Sequence, residues 1–164
     1  MKTVIFIRHA KSSWAHNLED KMRPLDNTGV FDAGFMSNLS VVKALAPDIV
    51  FCSTAKRTIS TCDYFIKAGV FPKSRVYYTD DLYDFNGGGV LLFLKNINDK
   101  YKRVILFGHN NALTNLVNNL GSKAVKNLPT CGIVQISFTE KEWRSVSSGK
   151  TDLVLFPKNF RLQF

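Results

Sequence analysis

The sequence predicts an α/β protein with three layers: a mostly parallel open sheet, helices on both of its faces, and antiparallel strands added near the C-terminus. Short apolar runs rich in β-branched residues alternate with longer segments whose apolar residues recur every three or four positions. Such alternation is typical of βαβ units, which place helices on both faces of a parallel sheet. After residue 130 the helical spacing disappears and strand-like segments follow one another, which predicts antiparallel pairing.

The first half of the chain supplies two of these units. Residues 2–7 (KTVIFI) form a continuous apolar run, which predicts a strand buried on both faces, and a polar, irregular stretch follows to residue 27. Residues 29–45 predict one helix, with Pro47 shortly after its end. Its apolar side would carry Phe31, Phe35, Leu39 and Val42. The next strand and helix are predicted over residues 48–52 and 55–67, and Gly69 would stop the helix.

The second half repeats the pattern and then changes. Strands are predicted at residues 75–78 and 103–107, and helices at residues 90–98 and 111–120. Three consecutive glycines precede the first of these helices. Residues 132–139 and 142–148 predict a hairpin, and residues 152–156 predict one more strand.

Composition places this 164-residue chain among globular proteins, with 45% hydrophobic and 21% charged residues. Without a linker or repeat, the chain reads as one domain over residues 1–164. No stretch reaches the roughly 20 apolar residues that span a bilayer, and no signal-peptide cleavage site follows the N-terminal run, so no membrane partner is expected. Three cysteines are too few for a disulfide framework and favour a cytoplasmic location.

The charge balance favours anionic partners. The chain carries 22 basic and 13 acidic residues, and residues 99–164 alone carry 10 basic and 4 acidic residues. Such an excess attracts nucleic acid, acidic protein surfaces or phosphorylated substrates. No nucleic acid is expected, because no run of five basic residues occurs and aromatic residues do not alternate with the basic ones. Nucleic-acid binding stays an alternative that rests on net charge alone.

Three predicted strands end in residues suited to phosphate chemistry. The strand at 2–7 is followed by Arg8 and His9, the strand at 48–52 leads to Arg57, and the strand at 103–107 leads to His109. Ligands of open α/β sheets bind beyond the carboxyl ends of the strands, where helix N-termini add N–H donors. We therefore expect these four side chains to meet in one anion site.

Such a site can transfer a phosphoryl group. Guanidinium groups grip phosphate oxygens with paired donors, and a neutral histidine can attack phosphorus to form a phosphoramidate that water then hydrolyses. The fixed cations would neutralise the developing charge, so we expect no cofactor and no metal. The histidines also lack metal-binding spacing, and no CxxC pair occurs.

Cys52 is a weaker candidate nucleophile. Four residues separate Cys52 from Arg57, one fewer than the phosphate loop of cysteine-dependent phosphatases has. Cys52 is better explained as the last buried residue of its strand.

Several motifs occur in a fixed order that resembles a known family. They are RHAKSSW at 8–14, RPL at 23–25 with Gly29, STAKRT at 53–58, GHNN at 108–111 and NLPT at 127–130. The set resembles the histidine phosphatase superfamily, in the variant of its small SixA-type phosphohistidine phosphatase branch. The resemblance covers about residues 2–156.

The resemblance implies a phosphoglycerate mutase-like fold and assigns roles to the strand-end residues. It implies that His9 is phosphorylated during the reaction, and that Arg8, Arg57 and His109 form the phosphate pocket. The neighbouring residues in these motifs that would contact the substrate are Ser12, Lys11 and Asn110.

The general acid of larger members is missing from this sequence. Those members carry a glutamate after the third strand, where this chain reads TDDLYDFNGGG at 79–89. Asp81 or Asp84 could replace it. A site without an acid would favour phosphohistidine over phosphate esters, because imidazole is a better leaving group than an alcohol.

The short connections predict a shallow, open cleft that suits a phosphorylated side chain on another protein. The sequence therefore predicts a metal-independent phosphatase that works through His9, acts on protein phosphohistidine and releases inorganic phosphate. Two alternatives remain: a broad phosphomonoesterase for small phosphate-bearing substrates, or a binding module for phosphate or phosphoproteins that lacks turnover.

Overall fold

Strands and helices alternate along the chain in the computed structural model, which describes residues 1–161. The strands are β1 (Lys2–Arg8), β2 (Ile49–Ser53), β3 (Val76–Thr79), β4 (Arg103–Gly108), β5 (Ile133–Phe138) and β6 (Lys150–Leu155). The helices are α1 (Asn27–Ser37), α2 (Ser40–Lys43), α3 (Lys56–Lys67), α4 (Gly88–Lys95), α5 (Ala112–Leu120) and α6 (Lys158–Arg161). Short 3-10 turns lie at Asp20–Met22, Lys73–Arg75, Asp80–Leu82 and Trp143–Ser145.

The strands form one sheet in the order β3-β2-β4-β1-β5-β6. The first four strands of that order run parallel, while β5 is antiparallel to β1 and β6 is antiparallel to β5. Phe107 of β4 pairs with Ile7 of β1 on one side and with Cys52 of β2 on the other. The carboxyl ends of these three strands are therefore level at one edge of the sheet.

Helices cover both faces of the sheet, so the predicted three-layer architecture is confirmed. Within β1, Ile5 and Ile7 belong to a core that includes residues of α1 and α3. Val4 and Phe6 face the opposite way, into a core that includes residues of α4 and α5. Because successive side chains of a strand alternate between its faces, a strand covered on both sides needs a continuous apolar run.

The single helix predicted over residues 29–45 is wrong, because the chain forms α1 and α2 there. Leu39 has an extended backbone (φ −62°, ψ 135°) that ends α1 and begins α2. The Asn38 side chain donates to the Gly34 carbonyl at 2.7 Å and occupies an acceptor that a continuing helix would use. The predicted apolar side is also shifted: Phe31 is 55% exposed, whereas Ala33 and Met36 are completely buried.

The inner side of α1 begins at Gly29, which lies against the loop that follows β1. A Cβ atom at Gly29 would lie 2.0 Å from the carbonyl oxygen of Lys11. The absent side chain therefore lets α1 approach the backbone of that loop, two residues beyond His9. The Asp26 side chain starts the helix by accepting from the Gly29 N–H at 2.8 Å.

The strand predicted at residues 142–148 is also wrong, and β5 pairs with β6 instead. The 3-10 turn at 143–145 is anchored by Trp143, whose side chain is completely buried. Its backbone N–H donates to Asp99 Oδ1 at 2.8 Å, and its ring Nε1 donates to the Tyr101 carbonyl at 2.8 Å. These long-range contacts replace the local hairpin that the sequence pattern favours.

Within residues 1–161, no helix is both long enough and apolar enough to cross a membrane.

Candidate active site

The level ends of β1, β2 and β4 open onto a cavity of about 410 Å³. Its lining residues are Arg8, His9, Lys11, Ser12, Trp14, Asp20, Arg23, Arg57, Phe85, His109, Asn110 and Thr130. The seven residues that the sequence predicts for catalysis or substrate contact all lie in this set. The two candidate general acids do not. Because β4 lies between β1 and β2, His109 is placed beside His9, with 5.2 Å between the ring centroids.

His9 is buried, with 6% of its surface exposed, and its ring is held in one orientation. Its Nδ1 lies 2.7 Å from the carbonyl oxygen of Ala10, which can only accept, so Nδ1 carries the proton. The Ala10 peptide is itself fixed, because its N–H donates to Thr61 Oγ1 at 2.9 Å. Nε2 of His9 therefore keeps a free electron pair, which accepts from Arg57 Nε at 3.3 Å.

The surroundings keep His9 neutral. Burial lowers its pKa well below the ordinary value, and the positive charges of Arg57 and Arg8 lower it further. The hydrogen bond to Ala10 acts in the opposite direction and is outweighed. A neutral imidazole with an unprotonated Nε2 is the form that can attack an electrophile.

Arg57 occupies the floor of the cavity and is only 2% exposed. Its Nη1 donates to the Asp20 carbonyl at 2.6 Å, and its Nη2 donates to Asp20 Oδ2 at 2.9 Å. The same Nη2 lies 3.3 Å from Nδ1 of His109. The guanidinium is therefore held by Asp20 in contact with both histidine rings.

His109 is completely buried and is also neutral. Because Arg57 can only donate, Nδ1 of His109 accepts and Nε2 carries the proton, which it donates to Ser53 Oγ at 2.7 Å. Burial and the charge of Arg57 lower the pKa of His109 to about 3. Ser53, the last residue of β2, thus sets the orientation of a ring that follows β4.

Arg8 brings a second guanidinium to the cavity. Its Nη1 donates to the Leu128 carbonyl at 2.9 Å. Its Nε is buried and has no hydrogen-bond partner among residues 1–161. Burial and the charge of Arg57 lower the pKa of Arg8. A buried donor without an acceptor beside another cation is a place where a bound anion gains both a hydrogen bond and a favourable charge.

Asp20 is a site residue that the sequence analysis missed. Its carboxylate accepts from Arg57, from Arg23 Nε at 3.2 Å and from the Tyr83 hydroxyl at 2.5 Å. Burial raises its pKa, but the hydrogen bonds from Tyr83 and Arg57 outweigh burial and lower the pKa to about 2. Asp20 is therefore a carboxylate that orients Arg57, and it carries no proton to donate at neutral pH.

The three predicted substrate contacts line the cavity in different ways. Ser12 Oγ accepts from Arg23 Nη1 at 2.6 Å, and Lys11 is exposed. The side chain of Asn110 is already bonded on both sides: its amide nitrogen donates to Asn127 Oδ1 at 2.7 Å, and its oxygen accepts from Thr114. Of the three, Lys11 is the side chain most open to a ligand.

The structure does not bring Asp81 or Asp84 to this cavity. Asp81 is exposed and lines a separate cavity beside Phe51 and Phe93. Asp84 accepts from the backbone N–H groups of Gly87 and Val90, both at 3.0 Å, at the start of α4. Burial raises its pKa, but these backbone bonds outweigh burial and lower it. Asp84 is therefore an ionised helix cap.

Cys52 is completely buried at the end of β2. Its thiol donates to the Ser53 carbonyl at 3.3 Å, and burial raises its pKa well above the ordinary value. The thiolate that a nucleophilic role requires is thus disfavoured. Over the described part of the chain, no three His, Cys, Asp or Glu side chains converge in a way that could hold a metal ion.

The cavity as a whole is strongly positive. It is lined by the cations Arg8, Lys11, Arg23 and Arg57, by one carboxylate, and by two neutral imidazoles. Cations held close together repel one another until an anion binds between them. The geometry is therefore suited to a multiply charged oxyanion.

Comparison with known proteins adds two kinds of relative. No protein-family model matches the chain. The sequence is 28% identical over 160 residues to an uncharacterized protein of Mycobacterium tuberculosis. The match covers 92% of this chain and 98% of the relative. It is 26% identical over 151 residues to an uncharacterized chloroplastic protein of Arabidopsis thaliana. That match covers 87% of this chain and 69% of the relative.

Solved structures give a closer match in shape. The protein histidine phosphatase SixA complexed with tungstate superposes with a TM-score of 0.80 and 20% identity over 96% of this chain and 99% of that chain. The chain has the SixA fold. The protein named phosphohistidine phosphatase SixA from Agrobacterium tumefaciens gives a TM-score of 0.76 and 24% identity over 95% of this chain and 99% of that chain. A mycobacterial glucosyl-3-phosphoglycerate phosphatase gives a TM-score of 0.67 and 11% identity over 93% of this chain and 98% of that chain.

In the SixA fold of this chain, the residues that sequence reasoning overlooked come from two loops. Asp20 lies in the polar stretch after β1, and Tyr83 and Phe85 lie between β3 and α4. Trp14 and Arg23 belong to the recognised motifs but received no role. The available signal was a carboxylate three residues before Arg23, and an isolated carboxylate in a polar loop is not distinctive.

The two buried neutral histidines predict that acid destabilises the fold. In the unfolded chain they take up protons near their ordinary pKa of 6.5, whereas His109 in the folded protein does so only near 3 and His9 also well below 6.5. The unfolded state therefore binds more protons between these values, and stability falls as pH falls below about 6.5. Thermal melts between pH 7.5 and 4 should show a declining Tm. The decline should be shallower for His109→Gln, and a control variant of exposed His16, His16→Gln, should match the wild type.

Proposed function

We propose that this protein is a phosphatase that forms a phosphohistidine intermediate on His9 and acts on phosphohistidine side chains. The observation that carries the proposal is the unprotonated Nε2 of His9, buried beside Arg57 in a cavity lined mainly by cations. The SixA fold and the oxyanion tungstate in the SixA complex support the same chemistry.

The cations would bind the three terminal oxygens of the phosphoryl group. Arg57 is already oriented by Asp20, and the free Nε of Arg8 offers a donor with no competing acceptor. Fixed donors of this kind stabilise the charge that develops in phosphoryl transfer without reorganising during the reaction. Lys11 adds a flexible cation at the rim.

The first step exchanges one N–P bond for another. Nε2 of His9 attacks phosphorus while the bond to the substrate ring breaks, and that ring departs as neutral imidazole when its other nitrogen carries a proton. In the second step water attacks phosphorus, the bond to His9 breaks, and dihydrogen phosphate leaves. His9 returns to its starting form, with a proton on Nδ1 held by Ala10. Neither step needs a further reactant.

The absence of a proton donor selects the leaving group. Asp20 is ionised with a pKa of about 2, His109 is neutral, and the cavity has no other carboxyl group among its described lining residues. An alkoxide leaving group needs a proton in the transition state, whereas a protonated phosphoimidazole does not. The site therefore favours phosphohistidine over phosphoserine and sugar phosphates.

A panel of substrates tests the proposal directly. We expect the wild-type protein to release phosphate from a phosphohistidine peptide with a kcat/KM at least about 100-fold above that for the same peptide carrying phosphoserine, as expected when general acid catalysis is missing. p-Nitrophenyl phosphate, whose leaving group needs no proton, should fall between them. Equal rates on both peptides would indicate a general phosphomonoesterase. Phosphate binding without hydrolysis of any substrate would indicate a binding module and refute the enzyme.

A further inference from the structure

The rim of the cavity differs chemically from its floor. Arg8, Arg57 and the two histidines form a polar floor, while Trp14 and Phe85 place aromatic rings on the same lining. Both rings are exposed to solvent, 79% for Trp14 and 40% for Phe85. Solvent-exposed aromatic side chains beside a binding cavity are typical of a recognition surface.

Both rings pack against neighbouring side chains. The guanidinium carbon of Arg23 lies 3.5 Å from the Trp14 ring centroid, and Arg23 is itself 6% exposed and bonded to Ser12 and Asp20. Phe85 packs against the edge of Tyr83 with 5.0 Å between centroids, and it lies 5.1 Å from His109. Such contacts restrict ring motion and reduce the entropy that a ligand would lose by stacking on them.

A phosphoryl group alone does not account for these rings. Its oxygens are matched by the guanidinium groups on the floor, and a cavity of about 410 Å³ lies in the size range of sites that hold larger ligands. The space above the floor is therefore left for the group that carries the phosphate. Aromatic walls favour a flat, polarisable group over a flexible alkyl chain.

We propose that Trp14 and Phe85 form the subsite that holds the imidazole ring of a phosphohistidine substrate. This inference rests on the proposed function and adds how the leaving group is recognised. The ring stacks against the two aromatic side chains while its phosphoryl group lies on Arg8 and Arg57, which orients the N–P bond toward Nε2 of His9. A lysine or serine side chain gains much less from the same walls.

The test compares two substrates that share the N–P bond and differ in the ring. One is a phosphohistidine peptide and the other is phosphoramidate, which has no ring. We expect Trp14→Ala and Phe85→Ala each to lower the ratio of the two kcat/KM values about 3- to 10-fold, the range expected for one aromatic contact. The aromatic replacements Trp14→Phe and Phe85→Trp should restore most of the ratio. Tyr77→Ala, which removes a ring on β3 that is 55% exposed and lies outside the cavity, is the matched control and should keep the wild-type ratio.

The outcomes separate this inference from the proposed function. If the wild type hydrolyses both substrates but neither alanine variant changes the ratio, the subsite is refuted and the phosphatase stands. An equal loss on both substrates would mean that the rings only support Arg23 and His109, and it would also refute the subsite. A wild-type protein that hydrolyses neither substrate overturns the proposed function and the subsite together.

Discussion

His9→Gln is expected to abolish turnover of phosphohistidine while leaving the fold and phosphate binding intact. Glutamine fills a similar volume but offers no nucleophilic nitrogen, because its amide electron pair is delocalised. Loss of the attacking group in other covalent hydrolases lowers kcat by about 10⁴-fold or more. The residues that would grip phosphate, Arg8 and Arg57, are unchanged, so the Kd for inorganic phosphate should change by less than about threefold.

Two measurements check this expectation. Rapid quenching at alkaline pH, where phosphoramidates persist, followed by mass spectrometry should show a phosphoryl group on the peptide containing His9 in the wild type only. His16→Gln, at an exposed position outside the cavity, is the matched control and should retain full activity. Substantial turnover by His9→Gln, or a phosphoryl group on His109 instead, would contradict the assignment of the nucleophile.

Arg57→Lys is expected to cause the next largest loss, about 10²- to 10³-fold in kcat/KM, although the positive charge is kept. Lysine offers a single point charge, whereas Arg57 uses three nitrogens at the same time. Nε contacts His9, Nη1 contacts the Asp20 carbonyl, and Nη2 contacts both the Asp20 carboxylate and His109. Removing one preorganised donor from an oxyanion site costs a loss of this order. The variant should also leave Asp20 partly unpaired and lower the Tm.

The control for this variant is Arg75→Lys. Arg75 is exposed and donates to the Pro47 carbonyl at 3.1 Å, outside the cavity. Its replacement keeps the charge of the protein and should leave kcat/KM unchanged. If Arg57→Lys retains more than about a third of the wild-type kcat/KM, the fixed fork of Arg57 is not needed and the role assigned to Asp20 falls with it.

Errors in the predicted elements share one origin. The apolar side assigned to residues 29–45 followed the large residues, but the buried side of α1 carries Gly29, Ala33 and Met36, because the helix lies against the backbone at Lys11, where Gly29 has no room for a side chain. The strand predicted at 142–148 has suitable residues, yet the buried Trp143 anchors a turn on Asp99 and Tyr101. In both places, contacts with distant parts of the chain overcame a local preference.

The search for a general acid shows the same limit. Asp81 and Asp84 were suggested by their position after the third strand, but neither lines the cavity. The carboxylate that does line the cavity, Asp20, meets Tyr83 across 63 residues of sequence. No spacing rule relates positions so far apart.

What the sequence determined by itself is the class of fold and the set of residues that gather at one edge of the sheet. Continuous apolar runs at β1, β2 and β4 require strands buried on both faces, and each run ends directly before or close to His9, Arg57 or His109. These are local properties, so the pattern of neighbouring residues suffices to predict them. Since parallel strands end at a common edge, the meeting of the three ends also followed from the class of fold.

Only the tertiary structure decided how those residues are arranged. The order β2-β4-β1 puts His109 next to His9, Arg57 contacts both histidine rings, and the loops bring Asp20 and the rings of Trp14 and Phe85 to the cavity. Strand order, loop direction and the tautomers of the histidines depend on packing and hydrogen bonds between residues far apart in the chain. These contacts exist only after the sheet has assembled, which is why the local sequence pattern could not specify them.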